Sequence, residues 1–197
     1  MTAMTATGGA AFAFPARFEV EYAAELSKLT FVKWILGIPH AIIVGALNYV
    51  WGALSFIAFF AILFTGKYPE GLFNFNRGIM RWQANTTVYY YLMRDEYPPF
   101  SFDEGGYPVR LDIDYPTELQ RWAPLYKWML AIPHFVILWA LGIAAFFAVV
   151  YAGIMVLMSG TYPEGVFKFV TGVQRWSIRV TTYAFFMHDE YPPFSME

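Results

Sequence analysis

The residues best equipped for chemistry come in pairs, each member answered by another about 94 positions later (His40 and His134, for example). Each of these histidines closes an Ile-Pro-His tripeptide, with a tryptophan six residues upstream. Two symmetry-related imidazoles would suit the axial positions of one haem, or the two sides of a quinone. No further ligand pattern accompanies them. The plainer reading is that Ile-Pro-His opens a helix, proline being tolerated in a first turn, with the histidine at headgroup level.

Asp95-Glu96 and Asp189-Glu190 form a second set. Carboxylates are hard oxygen ligands, and two from each copy would suit a divalent cation. Alternatively they are solvated acids beyond a helix C-terminus, where the dipole does not favour them. Arg81-Trp82 and Arg175-Trp176 form the third set. A forked guanidinium beside an interfacial indole would hold a lipid phosphate. The competing use of each arginine is an internal ion pair, with Glu70, Glu164 or a carboxylate of the strand segment.

Composition narrows the field. Hydrophobic residues make up 58% of the 197 and charged ones only 14%, against about a quarter charged in a soluble domain. A formal charge of −2 gives no basic face for nucleic acid. With no cysteine, disulfides, thiolate-bound zinc, iron–sulfur clusters and thiol catalysis are excluded. No Ser-His-Asp set, phosphate loop or two-histidine helix motif occurs. The sequence therefore predicts no enzyme and no bound cofactor. The many tyrosines and phenylalanines read as aromatic belts and helix packing rather than as a pigment pocket.

The elements that position these pairs repeat as well. Tyr68-Pro69-Glu70-Gly71 returns as Tyr162-Pro163-Glu164-Gly165, and Asp95 to Ser101 returns as Asp189 to Ser195. Upstream, Arg17-Phe18-Glu19-Val20-Glu21-Tyr22 answers Arg110-Leu111-Asp112-Ile113-Asp114-Tyr115 at an offset of 93. That alternation has the period of a half-buried strand, and the two strands could pair. Next come Ala24 to Gly37 and Glu118 to Ala131, mixed charged and apolar, expected as interfacial helices. Uncharged runs of about Ile35 to Phe64 and Met129 to Met158 follow, each long enough for one tilted span or a bent hairpin. An amphipathic helix then carries Arg77 and Arg81, or Lys168, Arg175 and Arg179, and ends at a Pro-Pro pair.

The expected fold class is an all-α membrane protein of two tandem units, residues 17–101 and 110–197, with a flexible lead-in at 1–16 and a linker at 102–109. The two Asp-Glu-Tyr-Pro-Pro-Phe-Ser endings are expected on one aqueous side, so each unit must return to the side it left. Either the amphipathic helix is a second span or the apolar run is a hairpin. In a spanning helix Arg81 would sit near mid-bilayer, which is costly unless it is paired. The side holding Arg17, Lys28, Lys33, Arg94, Arg110, Arg121 and Lys127 reads as cytoplasmic.

At these residues the chain resembles a bacterial membrane family of unknown function, marked by a Thr-Gly-x-Tyr-Pro-x-Gly-Leu-Phe-x-Phe turn, an Arg-Trp helix and a Tyr-Pro-Pro-Phe-Ser ending. Here the unit occurs twice, and the second copy departs to Ser159-Gly160-Thr161-Tyr162. The resemblance implies a place in the bacterial inner membrane as a multi-pass protein and lends no catalytic residue. The expected function is a non-catalytic accessory or scaffold subunit of a larger membrane assembly, its partners being lipids and other membrane subunits or itself. A membrane-shaping protein and a lipid-handling or transport protein with a site between the repeats are the alternatives.

Overall fold

The computed structural model describes residues 14–28 and 30–197, so most of the expected lead-in lies outside the described residues. The order is β1 (Ala16–Val20), α1 (Thr30–Thr65), α2 (Glu70–Tyr90), β2 (Val109–Ile113), α3 (Ala123–Ser159) and α4 (Glu164–Ala184). The chain is mostly helical with one small two-stranded sheet, and the same succession of elements appears twice.

The two strands pair, antiparallel, with Arg17 opposite Asp112, Phe18 opposite Leu111 and Glu19 opposite Arg110. Phe18 and Leu111 are equivalent residues of the two units, and so are Arg17 with Arg110 and Glu19 with Asp112. The ladder is therefore centred on a local twofold axis through the Phe18–Leu111 pair. Its inner side chains, Ala16, Phe18, Val109, Leu111 and Ile113, are buried, as a period-two strand on a core should be.

Each unit's strand lies on the other unit's amphipathic helix, β1 on α4 and β2 on α2. The loops cross in the same way. The Leu26 amide donates to the Gly160 carbonyl at 2.7 Å and the Leu119 amide to the Gly66 carbonyl at 2.9 Å. The Tyr22 and Tyr115 hydroxyls donate to the carbonyls of Tyr162 and Tyr68, both at 2.6 Å. Gly66 and Gly160 end the long helices at φ of 72° and 75°, a left-handed conformation that glycine adopts without strain.

These bonds fix the direction of the long helices. The segment leading into α1 meets the end of α3, and the segment leading into α3 meets the end of α1, so α1 and α3 run antiparallel. They form one layer, α2 and α4 cover it, and the sheet sits over α2 and α4 on the twofold axis.

Several expectations change. The apolar run is one continuous helix in each unit, and no hairpin forms. No separate interfacial helix precedes it. Ala24 to Lys28 has no helical turn, and α1 begins only at Thr30. Lys33 and Lys127, which suggested an interface, point inward to Asp95 and Asp189. Pro39 and Pro133 sit in the interior of helices rather than at their start. One residue past the i−4 carbonyl that Pro39 leaves without a donor, the Leu36 carbonyl accepts from Tyr97 at 3.0 Å. Finally, α2 and α4 stop at Tyr90 and Ala184, well before the Pro-Pro pairs. The backbone turns left-handed at Leu92 and Phe186, and Met93 and Met187 donate back to Val88 and Thr182, a closure of the Schellman type.

Candidate functional site

In each unit the histidine, the Arg-Trp tryptophan and the phenylalanine of the Pro-Pro-Phe ending meet. The Trp82 indole donates to His40 Nδ1 at 2.8 Å, and Trp176 donates to His134 Nδ1 at 3.1 Å. Phe100 and Phe194 stack on the imidazoles at 4.0 and 3.9 Å between ring centroids. Both histidines are fully buried. A neutral imidazole that accepts at Nδ1 carries its proton on Nε2, and Nε2 is the atom that an axial haem ligand would have to present unprotonated. The arrangement therefore suits a structural clamp between the first part of the long helix, the amphipathic helix and the ending. It does not suit metal ligation.

The acids also serve their own unit. Asp95 pairs with Lys33 and accepts from the Ser27 amide at 2.7 Å. Asp189 pairs with Lys127 at 2.6 Å and accepts from the Gln120 amide at 2.7 Å. Both bonds fasten the lead-in of the long helix to the unit's ending. Glu96 is held by Arg94 at 2.6 Å, and that hydrogen bond keeps its carboxyl below the usual range against the opposing effect of burial. Glu190 is exposed. Among the described residues no three His, Asp or Glu side chains come together as a metal site would require.

Arg81 donates to the Leu111 carbonyl at 2.8 Å and pairs with Glu104 at 2.9 Å and Asp112 at 3.2 Å. Of the partners the sequence suggested, the strand carboxylate is the one it meets. Arg175 donates to the Phe18 carbonyl and the Met196 carbonyl, each at 3.0 Å. Each arginine thus grips the strand of the opposite unit. Trp82 and Trp176 are buried against the histidines, so their rings are not at a surface a headgroup reaches.

On the outer strand surface Arg17 bonds Asp112 and Asp114 at 2.7 and 2.6 Å. Burial is the largest single influence on the Asp112 carboxyl and raises it, but the hydrogen bond and charge of Arg17, the Ile113 backbone and the Arg81 charge together leave the group below its ordinary value.

Sequence reasoning missed one feature. A cavity of about 320 Å³ lies among all four helices, lined by Trp51 of α1, Gln83 and Thr87 of α2, Gly142 of α3, and Gln174 and Thr181 of α4. These side chains are scattered over 131 positions (51 to 181), and only the antiparallel meeting of the units collects them.

The long helices carry the membrane signal. Val32–Thr65 and Ala123–Ser159 have mean hydropathies of 1.9 and 2.4 and are long and apolar enough to cross a membrane. Only 22% and 17% of their most apolar stretches are buried, so they leave a large apolar surface uncovered, as at a contact with a membrane or another protein.

A family model described as a domain of unknown function (DUF4389) matches residues 27–101 and again 121–196. Both strands fall outside the matched stretches. No curated protein and no solved structure matches the chain. With the unit found twice over most of its length, the chain belongs to the DUF4389 family as a tandem duplicate.

Proposed function

We propose that the chain is a non-catalytic protein of the bacterial inner membrane that acts as an accessory or scaffold subunit, its α1–α3 layer embedded from one side of the bilayer. One observation carries the reading. The polar side chains that could do chemistry are spent on holding the fold, the histidines and acids within their own unit and the arginines on the strand of the other, while the apolar long helices stay uncovered.

The symmetry argues for the way it sits. If α1 and α3 crossed the bilayer as antiparallel spans, the twofold axis would lie in the membrane plane at mid-depth. The sheet lies on that axis and exposes Arg17, Glu19 and Arg110, so these charges would face hydrocarbon at mid-bilayer, at about 2.5–3.5 kcal/mol each or more. With the axis along the membrane normal, the sheet faces water and the α1–α3 layer faces acyl chains. Both Asp-Glu-Tyr-Pro-Pro-Phe-Ser endings then lie at one level, as expected for a shared aqueous side. The multi-pass path read from hydropathy lacks this support.

The accessory role is tested by extracting the protein from its native membrane in mild detergent by a C-terminal tag and measuring the particle's mass. Other membrane subunits in fixed ratio are the expected result. A particle holding only this chain and lipid removes the accessory role.

A further inference from the structure

Among the described residues, the cations that form no ion pair are Lys28, Lys67, Arg110, Arg121, Arg175 and Arg179. The first four are exposed and solvated, whereas Arg175 and Arg179 are half-buried and one turn apart on α4. Every Asp and Glu of the sequence lies among the described residues, so no other carboxylate side chain of the sequence serves the pair. Arg175 donates from Nε to the Phe18 carbonyl and from Nη1 to the Met196 carbonyl, and Arg179 donates from Nη1 to the Glu197 backbone oxygen. These bonds satisfy three N–H groups, but no side-chain carboxylate offsets the two charges.

Like charges four residues apart on a helix repel, more strongly where burial keeps water away. Burial, and then the Arg175 charge, pull the Arg179 guanidinium below its ordinary value. The Phe14 ring lies 5.4 Å from the Arg179 guanidinium carbon and covers one face of it. Nη2 of each arginine takes no hydrogen bond among the described residues and, unlike Arg179 Nε, neither Nη2 is sealed from the surface. Two free guanidinium corners one turn apart suit an anion with several oxygens.

The first unit has no such pair. The equivalent of Arg179 is the buried Asn85, and Arg81, the equivalent of Arg175, is offset by Glu104 and Asp112. Framework contacts recur in both units, but this surplus of charge does not. Because α4 lies between the apolar layer and the sheet, the embedded placement puts the two arginines at the level of the lipid headgroups.

We infer that Arg175 and Arg179 together bind one phosphate group through their Nη2 atoms. An anionic phospholipid headgroup and free phosphate share that chemistry. Only the lipid source rests on the embedded placement, and neither source needs the accessory role.

The test uses the full chain in uncharged detergent, with the C-terminal tag that makes the Glu197 backbone oxygen an ordinary carbonyl. Calorimetric titrations with inorganic phosphate and, separately, with dihexanoylphosphatidylglycerol should show one equivalent bound in at least one case, and the probe that binds identifies the source. Arg179→Asn restores the other unit's residue and removes the repulsion, so the protein should melt no lower while binding weakens about tenfold. Arg175→Lys keeps the charge and loses the fork, so it reads the same site independently and should also weaken binding. Arg121→Gln removes an exposed cation and should leave the affinity unchanged. Equal affinity in Arg179→Asn and Arg175→Lys, an equal loss in Arg121→Gln, or no saturable binding of either probe above empty micelles would overturn the assignment.

Discussion

The two units share a frame and differ in what is fitted to it. The His–Trp–Phe clamp, the Lys–Asp pair, the tyrosine hydroxyl bonded across to the opposite turn and the arginine on the opposite strand occur in both. The differences are local. Arg94 of the first unit, bonded to Glu96 and the Glu21 carbonyl, is replaced by His188, buried and bonded to Thr182 at 2.9 Å. Asn76 donates to the Tyr68 hydroxyl at 2.8 Å, whereas its equivalent is Val170 and the Tyr162 hydroxyl has no partner. What recurs holds the fold, and what does not recur gives each unit its own local contacts.

The comparison breaks most sharply at the lysines. Lys127 is 1% exposed and keeps the His188 carbonyl and the Tyr183 ring, but Asp189→Asn leaves its buried charge without a counter-ion. It should cost about 3–5 kcal/mol by thermal unfolding in detergent. Lys33 and Asp95 are 6% and 38% exposed against 1% and 27% for Lys127 and Asp189, so Asp95→Asn acts on the slightly wetter pair and should cost somewhat less, about 2–4 kcal/mol. Equal losses would mean the two pairs are equally buried.

Acid should separate the units next. Burial, with the Lys127 charge adding to it, pulls the His188 imidazole down to about 4. The unfolded chain therefore takes up the proton first. His188 contributes its full stability above about pH 6.5 and loses it as the pH falls toward 4, about 3 kcal/mol in all. Hydrogen exchange across this window should loosen the second unit before the first, where Arg94 stays charged throughout. His188→Gln should flatten the difference, and an unchanged profile in that variant would rule out His188 as its source.

The clamps should behave alike. His40→Phe and His134→Phe each leave a buried indole N–H without an acceptor, about 1–3 kcal/mol, and similar melting losses would support a structural role in both. Smallest are Tyr22→Phe and Tyr115→Phe, about 0.5–1.5 kcal/mol each. A much larger loss in one alone would show that the crossed loops are not equivalent.

Much of this frame was legible in the sequence. The 94-residue offset gave the duplication, alternation at Arg17 and Arg110 gave the strands, and the uncharged runs gave the long helices. Pro39 and Pro133 misled, because proline reads as a helix start while tertiary contacts hold it inside a helix. For Arg81 the sequence leaves a lipid phosphate and an internal ion pair both open, and because successive helix residues point in different directions, Arg81 and Trp82 go to different partners. The crossing of the units and the cavity left no local signal, since both depend on contacts between residues as far apart as Phe18 and Arg175.

The most direct test uses the absence of native cysteine. Nitroxides are attached at Tyr49→Cys and Ile143→Cys, equivalent exposed positions midway along α1 and α3, and at Glu19→Cys on the sheet, in protein reconstituted into vesicles. The embedded layer predicts equal shallow depths at Tyr49 and Ile143, about 5–10 Å below the headgroup boundary, with oxygen collisions exceeding those of a polar relaxant, and a water-exposed label at Glu19. Labels at Tyr49 and Ile143 on the bilayer midplane with Glu19 shielded beside them, or all three in water, would contradict it.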